Sequence, residues 1–304
     1  MKIRHLSVRV PATTANLGPG FDTFGLALDL WNEAVFDLEG NDFSVDFSGP
    51  DDHKDLPSGC DNLIARAFAY LYQCQGASLP SGVHITCTNR IPTGSGMGSS
   101  AAAILTGLGA ANTYLGHPLD EDGLLVLASK MEGHPDNAAA GIFGGLTVSL
   151  SETGHVMTQR FDVPSLPAAI AVPKFHLPTQ TAREALPECI TMKDAVFNIG
   201  RAVLVVDALR RGDLDLLGQV MVDRLHQPYR FKLIPGCLLA LDAAKTAGAK
   251  AAALSGAGPG ILAFAEPDVI SAVAEAMRAQ FVAAGLDCQS MVLNTSQKGM
   301  QVDY

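Results

Sequence analysis

The stretch IPTGSGMGSSAAA, residues 91–103, constrains the architecture more than any other part of the chain. An apolar strand end meets the turn Gly94-Ser95-Gly96-Met97-Gly98, which opens into a run of small residues from Ser99. Glycines permit positive φ and let a ligand touch the backbone. The unpaired N–H groups of the following helix would face that ligand, aided by the helix dipole. These features fit a phosphate cradle, and they also fit a plain close-packed connection from strand to helix. No Lys or Arg occurs between Ile91 and Ser129, so an anion held here needs its counter-charge from elsewhere. A Walker loop would end in G-K-[ST], and that lysine is absent. The Rossmann fingerprint wants G-x-G-x-x-G, whereas this is G-x-G-x-G-S-S.

The remaining composition narrows the function classes. With 304 residues, 48% apolar and 17% charged, the chain can bury a sizeable core, and two domains are expected. A formal charge of −10 argues against nucleic acid as a partner, which needs a basic face. It also means that an anionic substrate must be met by locally placed cations, dipoles or a metal. Cys60, Cys74, Cys87, Cys189, Cys237 and Cys288 are scattered without a C-x-x-C pair, and the eight histidines form no H-E-x-x-H. No zinc or redox site is expected from them. No apolar run approaches the ~18 residues of a membrane span. The start, MKIRHLSVRV, carries Lys2, Arg4 and Arg9 and does not read as a signal peptide, so the expected location is cytoplasmic.

Along the chain, Ile3, Leu6, Val8 and Val10 alternate with polar residues and predict a strand ended by Pro11. A loop, ATTANLGPGFD, precedes a second apolar run, and residues 40–60 read as loops around a short strand. Helices are predicted at NLIARAFAYLYQ, from Ser99 to Leu115, at about 121–132, at 191–222, at 237–247 and at 267–284. Strands are predicted at SGVHITCTNRIP, AAIAVP, AKAAALSG, GILAFAE and DCQSMVLN, and EGHPDNAAAGIFGGLTVSL reads as a loop, a short helix and a strand. A hairpin turn is expected at SETGHVMT, with a domain boundary just beyond it, giving residues 1–158 and 159–304. The pattern is α+β, without a fixed-period repeat.

Four segments, PATTANLGPGFD, PTGSGMGSSAAA, EGHPDNAAAGIFGG and LSGAGPG, occur in this order. Together they resemble the motifs of the GHMP small-molecule kinases, whose phosphate loop is glycine- and serine-rich and lacks lysine. Within that superfamily the set is most similar to the homoserine kinases, through PATTANLGPGFD, EGHPDN and the pairing of TAREALP with DRLHQPYRFKLIPG. The resemblance covers about residues 3–265. It implies an N-terminal domain like ribosomal protein S5 domain 2, a ferredoxin-like C-terminal domain, ATP between them, and a homodimer. It places the triphosphate on Ile91, Pro92, Thr93, Gly94, Ser95, Gly96, Met97, Gly98, Ser99, Ser100 and Ala101. The missing positive charge would be Mg²⁺ on Ser100 and Glu132, a hydroxyl and a carboxylate suited to an ion that prefers oxygen. Helix capping by Ser100 and a solvated helix end at Glu132 are the plainer readings. Asn62 would contact the adenine, or simply cap the helix that follows it.

Homoserine is a zwitterion with a primary hydroxyl, so its site needs a carboxylate clamp, a partner for the ammonium and a group at the hydroxyl. Arg183 and Arg230 stand where the family carries its carboxylate-binding arginines, and guanidinium binds carboxylate bidentately. Thr179 lies in the same loop as Arg183. Asn16 and Asp22 would receive the ammonium, although both residue types also hydrogen-bond their own backbone in turns. His134 would line the site or be a satisfied loop histidine. Asp136 suggests a general base. Asn137 stands where mevalonate kinase and its relatives carry a catalytic Asp, which implies alignment of the hydroxyl by an amide that cannot take a proton. Gly260 stands where the family has a hydroxyl residue, so LSGAGPG is assigned backbone contacts only, or a hairpin turn. Two other readings are a GHMP kinase for a mevalonate-type or sugar alcohol and a non-catalytic nucleotide sensor on the same fold.

Overall fold

β1 (His5–Ala15) and β2 (Phe24–Asp37) make a long antiparallel pair at the centre of the first sheet. The computed structural model describes residues 5–38, 40–49 and 56–304, so Ile3 lies outside the described residues. β1 does not end at Pro11. It runs on to Ala15, and the pairing register shifts between Pro11 and Ala12. Proline has no N–H to donate, and an irregularity is where a ladder can do without one. The strand therefore delivers Thr13, Thr14 and Ala15 into the interior, where all three are buried.

The first sheet is completed by β3 (Phe43–Ser48), β4 (Val83–Thr88), β5 (Leu146–Glu152), β6 (His155–Phe161) and β11 (Gln301–Asp303), in the order β11-β1-β2-β4-β3. β5 pairs with the Phe24–Leu26 end of β2 and carries β6 beside it. β3 and β4 are parallel and joined through α1 (Leu63–Cys74). α2 (Ser99–Tyr114), α3 (Glu121–Glu132) and α4 (Asp136–Phe143) complete this half. Nearly every residue of α2 after its first turn is buried, which only small side chains allow. A Cβ at Gly107 would sit 2.2 Å from the Ile64 carbonyl oxygen of α1. Phe68 packs against Phe36, Phe43, Tyr72 and Tyr114 in the adjoining core.

The second sheet holds β7 (Pro167–Pro173), β8 (Ala251–Leu254), β9 (Ile261–Phe264) and β10 (Cys288–Asn294), all antiparallel, in the order β10-β7-β9-β8. Counted along the chain this is fourth-first-third-second, the ferredoxin-like arrangement. Its period-two alternation serves two cores. Ala169, Ala171, Ile261 and Ala263 face α9 (Cys237–Thr246) and α10 (Ile270–Ala283). Ala168, Ile170, Leu262 and Phe264 join α6 (Met192–Arg211), α7 (Leu214–Val220) and the first sheet in one continuous cluster. Two short helices, α5 (Thr179–Glu184) and α8 (Gln227–Arg230), were not expected from the sequence. They carry Arg183 and Arg230.

A cut between residues 158 and 159 falls inside β6, and the second sheet begins only at Pro167. β11 returns the chain end to β1 of the first sheet. Three residues are too few for alternation to be read, so this return had no sequence signal.

Candidate active site

A cleft of about 480 Å³ runs between the two halves. At its centre lies the glycine turn. Gly94, Gly96 and Gly98 have φ of +63°, +79° and +70°, which glycine adopts without a side-chain penalty. Gly98 is the N-cap of α2 and offers no side-chain hydrogen bond, so the first N–H groups of a sixteen-residue helix are uncapped toward the cleft. Thr93, Gly94, Ser95, Gly96, Gly98, Ser99 and Ser100 line the cleft. Ile91, Pro92, Met97 and Ala101 do not; they are buried behind the turn. Ser95 braces the turn, donating from Oγ to the Pro92 carbonyl (2.6 Å) and accepting from the Met97 N–H (3.2 Å).

The loop 254–260 joins β8 to β9 as a hairpin and also docks on the glycine turn. Ser255 Oγ lies 2.7 Å from the Gly96 carbonyl oxygen and 2.9 Å from Thr14 Oγ1. The Gly260 N–H donates to the Ser95 carbonyl (3.1 Å) and the Gly256 N–H to the Ala15 carbonyl (3.2 Å). The loop is therefore a hairpin, with Gly256 and Gly258 lining the cleft, but its contacts are not of backbone alone, because the Ser255 side chain braces the glycine turn.

Ser100 does not cap its helix. Its hydroxyl donates in a short hydrogen bond to Glu132 Oε1, which arrives from the end of α3, thirty-two residues on. Burial raises the Glu132 carboxyl above its usual range; the Ser100 hydrogen bond and the nearby His134 only partly offset it. A carboxylate destabilised by burial beside a hydroxyl, at the mouth of an anion cradle, is a donor set that fits Mg²⁺ with phosphate oxygens and water as its other ligands. Among the described residues no three His, Cys, Asp or Glu side chains gather as a metal cluster of their own.

Asn137, Asp136 and His134 come together at the start of α4. Asp136 is 2% exposed, and one of its oxygens accepts from His134 Nδ1 (2.6 Å), the Asn137 N–H (2.7 Å) and Asn137 Nδ2 (3.3 Å). An oxygen so engaged organises the loop, which is not the situation of a free base. Burial disfavours the charged form of His134, but its hydrogen bond and attraction to Asp136, with Glu132 and Asp22 adding, raise its pKa on balance. Asn137 Oδ1 accepts from Thr13 Oγ1 at 2.8 Å. Thr13 was not singled out from the sequence. Its signal was a polar residue placed inward on an otherwise apolar strand.

At the acceptor end Arg183 and Arg230 both lie over the ring of Phe21, at 5.5 and 5.0 Å from its centroid. Arg183 forms a two-point ion pair with Asp22, Nη1 to Oδ2 at 2.6 Å and Nη2 to Oδ1 at 2.9 Å. That hydrogen bond raises the Arg183 pKa further. Arg230 is 1% exposed, and burial brings its pKa down to about 10. Its Nε donates to the Ala182 carbonyl (3.1 Å) and its Nη1 to His226 Nδ1 (3.2 Å). His226 in turn donates from Nε2 to the Gly18 carbonyl (2.8 Å), which fixes its neutral tautomer. Asp223 is buried and accepts the N–H groups of Leu225, His226 and Gln227 together with Asn198 Nδ2, so it builds the turn that aims Arg230. Phe21, Asp223 and His226 were likewise missed as site residues, although all three lie in segments the resemblance covers.

Asn16 and Asp22 keep the acceptor loop in shape. Both adopt left-handed backbone, φ +71° and +54°, and Leu17 between them has φ +47°. Asn16 Oδ1 accepts the Asp22 N–H (2.9 Å), and its Nδ2 donates to the Gly256 carbonyl (2.8 Å). Asn62 reaches the cleft, but its side chain caps α1 at the Ile64 N–H (2.9 Å) and donates to the Pro57 carbonyl (2.8 Å). Thr179 lines the cleft at the start of α5.

An S5-domain-2-like half and a ferredoxin-like half, with a lysine-free glycine turn at a helix N-terminus between them, define a GHMP kinase. The sequence profile of the GHMP kinases N terminal domain matches residues 62–145, and that of the GHMP kinases C terminal domain matches residues 205–283. The chain is 44% identical to the homoserine kinase of Gloeobacter violaceus, covering 94% of this chain and 96% of that one. It is 42% identical to the homoserine kinase of Moorella thermoacetica, covering 92% and 94%. The crystal structure of homoserine kinase from Cytophaga hutchinsonii superposes with a TM-score of 0.86 at 30% identity, covering 100% of this chain and 98% of that one. The chain belongs to the homoserine kinase family.

Proposed function

We propose that the cleft transfers the γ-phosphoryl group of ATP to the hydroxyl of L-homoserine, giving ADP and O-phospho-L-homoserine for threonine biosynthesis. The observation that carries this reading is the pairing of two arginines over Phe21 with Asp22 beside them, at the far end of a cleft whose centre is an uncapped helix start. A zwitterion needs both charges answered within a few ångströms, and a sugar or a hydroxy acid does not.

In this mechanism the cleft-lining N–H groups of the glycine turn and of Ser99 and Ser100, Met97 excepted, take the phosphates. Ser100 and Glu132 would hold Mg²⁺, which when bound supplies the positive charge that lysine gives in other phosphate loops. Arg230 and Arg183 clamp the homoserine carboxylate, with Thr179 at the edge. Asp22, helped by the free lone pair of Asn16 Oδ1, receives the ammonium. Asn137 aligns the hydroxyl for in-line attack, held by Thr13, while His134 and Asp136 fix the loop that carries it. The attacking oxygen forms its bond to phosphorus as the bond to the ADP oxygen breaks. The hydroxyl proton passes to phosphoryl oxygens or solvent. A loose transition state needs alignment and charge stabilisation more than a side-chain base. The chain acts in the cytoplasm as a homodimer, with the nucleotide-binding part built on the first sheet, β1 to β6 with β11 returning to it, and the rest on the second sheet.

The test is ADP release with homoserine, mevalonate, galactose and shikimate as acceptors, with Mg²⁺ and with chelator. Turnover is expected with homoserine alone and only with Mg²⁺. Comparable turnover with mevalonate or galactose would refute the acceptor assignment. Full turnover in chelator would refute the metal.

A further inference from the structure

Arg230 meets the acceptor end of the cleft with its guanidinium already oriented. Nε donates to the Ala182 carbonyl (3.1 Å) and Nη1 to His226 Nδ1 (3.2 Å), while Nη2 has no hydrogen-bond partner among the described residues. Two anchored nitrogens fix the plane of a rigid planar fork and leave the third for a ligand. The side chain that anchors Nη1 does not itself touch the cleft. His226 is 0% exposed and lies behind the cleft wall. Its ring stacks on Phe21, with centroids 5.1 Å apart and 27° between the planes, and its Nε2 donates to the Gly18 carbonyl (2.8 Å). One imidazole thus joins the turn that carries Arg230 to the loop that carries Asn16 and Asp22.

We propose that His226 is a positioning and specificity-determining residue: it holds Arg230 at a fixed separation from the Asp22 loop without neutralising the arginine, so that the cleft selects an acceptor with a carboxylate beside its ammonium. The proposal rests on the homoserine reading above and adds the residue that sets the spacing of its two charge sites.

The type of side chain carries the argument. Arg183 is already paired with the carboxylate of Asp22. A carboxylate at position 226 would orient Arg230 too, but it would neutralise the guanidinium and compete with an incoming carboxylate. A neutral ring nitrogen orients by hydrogen bonding alone and leaves the positive charge for the ligand. Burial lowers the His226 pKa; the charge of Asp223 opposes this, that of Arg230 adds to it, and the balance lies below the usual histidine value. The ring is therefore neutral near pH 7. Asp223 cannot take over the task. Its Oδ1 accepts from Asn198 Nδ2 (2.7 Å) and the Leu225 N–H (2.8 Å), and its Oδ2 from the N–H groups of His226 (3.0 Å) and Gln227 (2.7 Å). That carboxylate folds the turn. Among the described residues the imidazole is the one side chain hydrogen-bonded to Arg230.

The test is a double-mutant cycle of His226→Leu and Arg230→Leu, with His226→Asn as the conservative variant. KM and kcat are measured for homoserine and for homoserinamide, the same molecule with an uncharged carboxamide in place of the carboxylate. Leucine keeps bulk and loses the acceptor atom, whereas an asparagine amide offers an uncharged oxygen in its place. His226→Leu is expected to raise the homoserine KM ~10-fold to ~100-fold with kcat within about threefold, and to raise the homoserinamide KM much less. His226→Asn should recover most of that loss. In the Arg230→Leu background His226→Leu should add less than about threefold, because its effect passes through the arginine. Equal rises for the two acceptors, or a full further rise in the Arg230→Leu background, would overturn the proposal. Should His226→Leu not fold, His226→Asn and His226→Asp decide the matter, being alike in shape and unlike in charge. The homoserine KM is expected to be ~10-fold or more higher for His226→Asp, and equal values would overturn the proposal. An unaltered protein that does not phosphorylate homoserine would overturn the homoserine reading and this inference together.

Discussion

Arg183 already holds a carboxylate of the chain itself, that of Asp22. Both side chains are a third or more exposed, so the ion pair is screened and contributes modestly to stability. Its consequence is for selection. A zwitterion inserted there exchanges one ion pair for two, whereas a carboxylate without an ammonium takes Arg183 and leaves Asp22 unpaired. Asp22→Asn should therefore lower kcat/KM for homoserine ~10-fold or more and lower it much less for 4-hydroxybutyrate. An unchanged ratio between the two acceptors would remove Asp22 from the ammonium site. Thr13 acts at one remove. Thr13→Val keeps the shape but leaves Asn137 Oδ1 unsatisfied in a buried place, a cost of about 1–3 kcal/mol that is met most readily by rotation of the amide. The expected result is a kcat lowered ~10-fold or more with the homoserine KM within about threefold, and rescue by Thr13→Ser. A loss of stability with kcat intact would make Thr13 a packing residue only. Neither contact was legible in the sequence: Thr13 and Asn137 are 124 residues apart, and Asp22 and Arg183 are 161 apart. Polar pairings at that range leave no periodicity to read.

Elements were more legible, for a physical reason that the glycine turn shows well. Its signal is local: strand, three glycines at alternate positions, helix. The structure has those glycines at positive φ with the helix start uncapped. The sequence did not reveal the second constraint, that 254–260 presses on the turn from the other half. A Cβ at Gly96 would stand 2.2 Å from the Ser255 carbonyl oxygen, while one at Gly94 would meet nothing within 4 Å. Both glycines share the left-handed backbone, so alanine at either incurs the same φ penalty of about 1–2 kcal/mol. Only Gly96→Ala must also move backbone. Gly94→Ala should lower Tm by a few degrees, and Gly96→Ala by at least twice as much, with the ATP KM raised as the turn opens. Equal melting temperatures in differential scanning fluorimetry would mean that the two loops are not in tension. Where local signals were weak the elements went unread. α5 and α8 are six and four residues long, and they are the ones that present the arginines.

At the scale of the molecule, the two halves share more than a cleft. One apolar cluster runs from Val10 and Ala12 of β1 through Leu217 of α7 to Ile170 and Phe264 of the second sheet. β11 ties the chain end back to β1, and Ser255, Gly256 and Gly260 stitch the hairpin of the second half to the strand and turn of the first. A chain built this way cannot melt one half and leave the other intact, because unfolding the second sheet strips the wall of the shared core and releases the glycine turn. Scanning calorimetry should therefore show one transition, with calorimetric and van't Hoff enthalpies in agreement. Ligands that bind only the folded cleft should move that transition as a unit. A non-hydrolysable ATP analogue at about 100 times its Kd adds roughly 2.7 kcal/mol, which for a chain of this size raises Tm by about 5 °C. Homoserine added afterwards should raise it again, since the proposed carboxylate site draws on α5 and α8 of the second half while the proposed ammonium site lies on the loop after β1. Two resolved transitions, only one of them moved by the nucleotide, would show that the halves fold independently and that the continuous core does not couple them.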